Sequence, residues 1–167
     1  MCRGFAMVGL GQWVEGIAQL RAGLAAWNGV GAHLFDSQWL GLVAAAHIQS
    51  GQFGEALTAL DRAGEISSAS GDRHYEAELC RLRGVVLANT GQAAEAESWF
   101  HRATDTSRRQ QARSLELRAA TSLARLWAEQ GERQKAHDLL PPVYGWFAEG
   151  FSTADLKDAK ALLDELA

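Results

Sequence analysis

The sequence predicts an all-α protein, a solenoid of antiparallel helix pairs, and three observations carry that expectation. Gly51, Ala56, Leu60 and Ala63 recur 40 residues later as Gly91, Ala96, Phe100 and Ala103. They recur again as Gly131, Ala136 and Leu140, and more loosely upstream as Gly11, Gly16, Leu20 and Gly23. A period of that length marks stacked supersecondary units, each too small to bury its own apolar face. The second observation is compositional: two prolines in 167 residues, against many Ala, Leu, Glu, Gln and Arg, favour helix throughout. Third, apolar residues between the repeated glycines fall at the spacing of one helix face.

Taken in order, Met1–Leu10 aligns with the second half of the helices that precede the later glycines, so the first unit begins partway through its own first helix. Gly11 closes that remnant, and Gln12–Trp27 follows with Ile17, Leu20 and Leu24 on one face. Gly29 and Gly31 then break the chain. Ser37–Ser50 reads as a helix turning Trp39, Leu40, Val43, Ala46 and His47 inward, with Asp36 or Ser37 as its N-cap. Beyond Gly51, Phe53, Ala56, Leu57, Leu60 and Ala63 define the next buried stripe, ending in the Ser-rich turn before Gly71.

The third unit pairs a helix near Asp72–Thr90 with one near Ala93–Arg109. The fourth pairs Ala112–Gln130 with Gln134–Ala148, and in its first helix Glu116, Ala119, Ala120, Leu123, Leu126 and Trp127 share a face. Pro141 and Pro142 fall inside its second helix, where a kink is expected, with Val143 and Phe147 still facing inward. After Gly150, Ser152 or Thr153 offers a cap, and Leu156, Ala159, Leu163 and Leu166 give a last helix one apolar face. That helix has no partner and reads as the terminal cap of the array. The units run 1–31, 32–71, 72–111 and 112–150, with the cap near 153–166.

Composition narrows the function. Apolar residues make up 47% and charged residues 22%, a globular rather than a disordered balance. A net charge of −4 speaks against nucleic acid, which needs a clustered basic face. The one basic cluster, Arg108, Arg109 and Arg113, reads as a solvated helix face. Cys2 and Cys80 suggest no disulfide framework and fit a reducing compartment. No apolar run reaches the ~18–20 residues that span a bilayer. The N-terminus is a poor signal peptide. A cytoplasmic location follows as the expectation, with no membrane partner.

The spacing within each unit resembles the tetratricopeptide repeat, with small residues where helices touch, including Gly84, Ala44 and Ala124. That resemblance implies a right-handed superhelix whose first helices line a concave face. The period of 40 exceeds the usual repeat and implies longer helices and wider turns. Arg109–Trp127 and Leu139–Lys157 are similar to the tetratricopeptide tail of bacterial proteins that join a class III adenylate/guanylate cyclase, or another signalling head, to an ATPase module. The likeness implies a signalling protein's interaction tail and transfers no catalytic residue.

No chemical site stands out along the chain. No P-loop is present, and the five histidines show no pair at the spacing of a helical zinc site. His47 and Cys80 read as packed core residues. Asp155 with Asp158, and Glu95 with Glu97, are explained by capping and solvation. No cofactor, metal or catalytic constellation is expected. What remains is surface. The concave face inferred from the repeat carries Gln38, Gly41, Ala45 and Gln49 in unit two, then Glu78, Arg81, Val85 and Asn89 in unit three. Unit four adds Arg118, Thr121, Arg125 and Glu129. Such a polar stripe suits a peptide or helix held by hydrogen bonds and charge pairs. A second surface is expected at the truncated first helix, where Phe5, Met7, Val8, Leu10 and Trp13 lack a covering helix, an edge for a homodimer or an upstream domain. The expected role is a non-catalytic interaction or scaffold module. An effector-sensing arm with a small molecule in the groove, and a cryptic enzyme, remain as alternatives.

Overall fold

The protein is described from a computed structural model at residues 2–31 and 33–167. Met1, in the expected first-helix remnant, and Ala32, at the expected start of unit two, lie outside the described residues. Within them the chain folds into nine helices and no strand: α1 (Cys2–Gly9), α2 (Trp13–Gly29), α3 (Asp36–Gln49), α4 (Phe53–Ser70), α5 (Glu76–Asn89), α6 (Ala93–Arg109), α7 (Arg113–Glu129), α8 (Arg133–Tyr144) and α9 (Ala154–Leu166). Helices pair as α1/α2, α3/α4, α5/α6 and α7/α8, and α9 packs on both α7 and α8.

The repeated glycines make the turns inside each pair. At Gly51 the backbone is left-handed (φ 72°), its N–H donates to the Ile48 carbonyl at 3.0 Å, and the Gln52 N–H donates to the His47 carbonyl at 2.8 Å. Two such bonds close the orphan carbonyls of α3 in a Schellman motif, and Gly11, Gly91 and Gly131 repeat it. The turns between units carry a second left-handed series at Gly31, Gly71 and Gln111, the last a non-glycine at φ 55°.

Packing follows the same register. Leu20, Leu60, Phe100 and Leu140 are all buried, each on the second helix of its pair. Gly84 is what admits the largest of them: a Cβ there would sit 2.5 Å from the Phe100 ring. The core divides into two main clusters and a small third one of Cys80, Ala103 and Ala119, and α5 contributes to all three. Leu79, Leu82 and Val86 join the N-terminal core, while Leu87 joins the C-terminal one. A basic–acidic pair three residues apart also repeats at the start of units two, three and four, as His33–Asp36 (3.1 Å), Arg73–Glu76 (3.8 Å) and Arg113–Glu116 (2.8 Å).

Several expectations are corrected. α5 starts at Glu76, not near Asp72, because Asp72, Arg73 and His74 form the turn. α8 ends at Tyr144 and does not continue to Ala148. Pro141 and Pro142 leave the His137 and Asp138 carbonyls without helical donors, and the helix stops at Tyr144. The N-cap of α3 is Phe35, in a left-handed conformation, rather than Asp36 or Ser37. Thr153 precedes α9 as expected, but its hydroxyl donates to the Gly150 carbonyl and gives α9 no side-chain cap. In α9, Leu162 is buried and Leu163 only half-buried.

Candidate functional site: the concave groove

Because helices pack in alternation, α3, α5, α7 and α9 stand side by side and touch in succession, with α1 beside α3. Their shared face forms a groove of about 450 Å³ that runs from Phe5 of α1 to Asp155 and Asp158 of α9. Its N-terminal half is largely apolar, with Phe5, Leu42, Ala45 and Tyr75. Tyr75 can lie there because Gly41 leaves room, a Cβ being 2.8 Å from the ring.

The C-terminal half is a ladder of charges. Glu78 is only 4% exposed and receives a bidentate fork from Arg81, Nε at 2.9 Å and Nη2 at 2.8 Å. Arg81 also reaches Ser122 of α7 at 3.3 Å. Arg118 spans three helices, its Nη1 3.5 Å from Glu78 and its Nε donating to Asp155 at 2.7 Å. One turn further, Arg125 donates to Asp158 at 2.8 Å. Burial would raise the Glu78 carboxyl, but the bonds and charges of Arg81 and Arg118 outweigh it and hold the group below the ordinary range. Burial likewise opposes the charge on Arg81 and Arg118, and Glu78 and Asp155 more than restore it. Tyr75 is pushed up to about 12, by burial first and then by the Glu78 charge.

Of the residues expected in the groove, Gln49, Glu78, Arg81, Arg118 and Arg125 line it together. Asn89 and Glu129 line an adjoining hollow of about 300 Å³ that shares Ser122 and Arg125 with the groove. Gln38 turns to the unit boundary, where its Oε1 meets His74 Nε2 at 3.1 Å. Thr121 also lines the groove, though it is nearly buried and its hydroxyl donates to the Leu117 carbonyl. Asp155 and Asp158, assigned from sequence to capping and solvation, are instead the groove's acidic rim. The signal for them was their position on α9 facing Arg118 and Arg125, which required the cap to be read as a fifth first-helix.

The expected open edge separates into three parts. Val8 is buried (1% exposed) against Gly16, whose missing side chain lets α1 and α2 close up, so Val8 is core and not edge. Phe5 belongs to the groove. Trp13 stays on the edge beside the exposed Leu10 and Val14.

The remaining candidates resolve into packing. His47 is buried between two partners, Arg21 Nη2 at 3.2 Å from Nε2 and Gln52 Oε1 at 2.6 Å from Nδ1. A guanidinium only donates, so Nε2 accepts and the Nδ1 hydrogen goes to Gln52. Burial pushes the Cys80 thiol up to about 11. Glu97 takes the Trp127 indole N–H at 2.9 Å and the Lys135 ammonium at 3.3 Å. The basic cluster is not merely solvated, for Arg108 and Arg113 both converge on the buried Glu116, at 2.7 and 2.8 Å. Among the described residues no group of three His, Cys, Asp or Glu could hold a metal ion, and no helix is long and apolar enough to cross a membrane.

No protein-family model matches the chain, and no curated protein matches it in sequence. Among solved structures, two crystal structures of a kinesin light chain-like protein of Podosopora anserina with nearly identical TPR-like repeats are similar to it. Each gives a TM-score of 0.68 at 18% identity, covering 98% of this chain and 81% of that one. Identity that low carries the fold alone. On geometry and likeness together, the chain is an all-α solenoid of the TPR-like (tetratricopeptide repeat-like) kind.

Proposed function

We propose that the protein is a non-catalytic protein–protein interaction module whose concave groove receives a segment of a partner. One observation carries the reading: five helices converge on a groove that is apolar at one end and lined by paired arginines and carboxylates at the other. The ladder is internally paired, yet Arg118 and Arg125 keep unused N–H donors at the surface. A segment with an apolar anchor followed by carboxylates or free carbonyls fits both ends. The resemblance of Arg109–Trp127 and Leu139–Lys157 to cyclase–ATPase tails supports a place as the interaction tail of a bacterial signalling protein in the cytoplasm. The exposed Leu10, Trp13 and Val14 support self-association through the N-terminal edge.

Selection of a random peptide library on the intact protein tests the proposal. Enriched peptides should combine an apolar residue with acidic ones and should lose at least tenfold in affinity against Arg118→Glu. Failure to enrich any sequence, or affinity indifferent to Arg118→Glu in a variant that still folds, contradicts it.

A further inference from the structure

The repeat supplies an internal control: what one unit holds and its sister units lack is not required by the scaffold. On the convex side, α4 and α6 do not touch, and a cleft of about 510 Å³ opens between them above α5. At the register position shared by Val43, Arg83 and Leu123, the two apolar residues are buried core, whereas Arg83 leaves the core for this cleft. Trp99 stands where the neighbouring units have Ala59 and Leu139. Arg83 and Arg102 both lie over its ring, at 5.1 and 5.0 Å, which puts their guanidinium carbons within about 10 Å of each other. The opposite wall contains Gly64, in mid-helix, where α2 has Leu24. A Cβ at Gly64 would meet nothing within 4 Å, so packing does not demand the glycine, although it weakens α4.

We infer that this cleft is a binding site for a small ligand bearing two anionic groups, of the diphosphate or bisphosphate class. Its volume suits a small molecule. Two guanidinium groups fixed against one indole offer forked donors at a set spacing, the geometry that phosphate oxygens match. Each already has a carboxylate partner. Arg83 pairs with the exposed Asp61, and Arg102 approaches Glu76 only to 3.6 Å. Each pair has one exposed member, Asp61 and Arg102, so a stronger anion can displace the carboxylates. A ligand with two anionic groups can engage both guanidinium groups at once and displace Asp61 and Glu76 together, which a single small anion cannot do. The ligand would bridge α4 and α6 across the boundary between the two cores. The cleft shares no lining residue with the concave groove.

Isothermal titration of the full chain with inorganic pyrophosphate and with fructose 1,6-bisphosphate, against inorganic phosphate, decides it. At least one of the two should bind saturably, one to one, and at least tenfold more tightly than phosphate. Arg83→Gln and Arg102→Gln should each weaken binding at least tenfold, and Lys157→Gln should leave it unchanged. Gly64→Leu should raise Tm and remove binding, which separates an occupied cleft from a loss of fold. No saturable heat with either probe at millimolar concentration, equal affinity for phosphate, or binding that survives Gly64→Leu overturns the inference.

Discussion

Beneath the groove the Glu78 carboxylate stays ionised while almost wholly buried, because Arg81 and Arg118 supply more than burial removes. Breaking one partner of such a set leaves a buried charge alone, so Glu78→Gln should cost about 3 kcal/mol in urea unfolding. Its pH dependence has a fixed sign. A carboxyl held below its unfolded value of 4.5 adds stability above that pH and loses it as pH falls through the lower folded value. Glu116, opposed by burial and held down by Arg108 and Arg113, behaves likewise. The urea midpoint should therefore fall steeply below about pH 4.5, and less steeply in Glu78→Gln. Gln111 offers the opposite opportunity. It occupies a left-handed position that its sister turns give to Gly31 and Gly71, and Gln111→Gly should stabilise the fold by about 0.5–1 kcal/mol. A loss of stability there would show that the side chain makes contacts worth more than the strain.

Helices were the most legible level. The 40-residue register placed α6 to the residue and most other boundaries within one or two, since the glycine turns and apolar stripes are local signals. The ladder was only half legible. Glu78 and Arg118 share a register position 40 apart, but Arg118 reaches Asp155, 37 residues on, because a long side chain leans one turn along the next helix. That offset hides the pair from any reading based on the period. Val8 misled because the repeat register does not say how closely Gly16 lets α2 approach α1. The cap also has a measurable share in stability. Leu156 is buried in the C-terminal core, and Leu156→Ala should cost about 2–4 kcal/mol. At the other end, Leu10→Lys with Val14→Lys should abolish any concentration-dependent mass in light scattering. A wild-type chain already monomeric at high concentration would remove the self-association reading.

At the scale of the molecule, one scaffold presents two faces of different chemistry. The concave face joins an apolar end to a charge ladder across α5, α7 and α9, and the convex face opens a cleft where the two cores meet on α5. Glycine turns and small contact residues account for the superhelix. The residues that depart from the repeat mark the surfaces where binding is expected. The most direct test of the groove is amide hydrogen exchange on the protein alone and with a library-selected peptide. Binding in the groove predicts added protection on the groove-facing segments of α5, α7 and α9, lost together with affinity in Arg118→Glu. Protection confined to α2, α4 and α6, or none at saturating peptide, would contradict the assignment of function to the concave face.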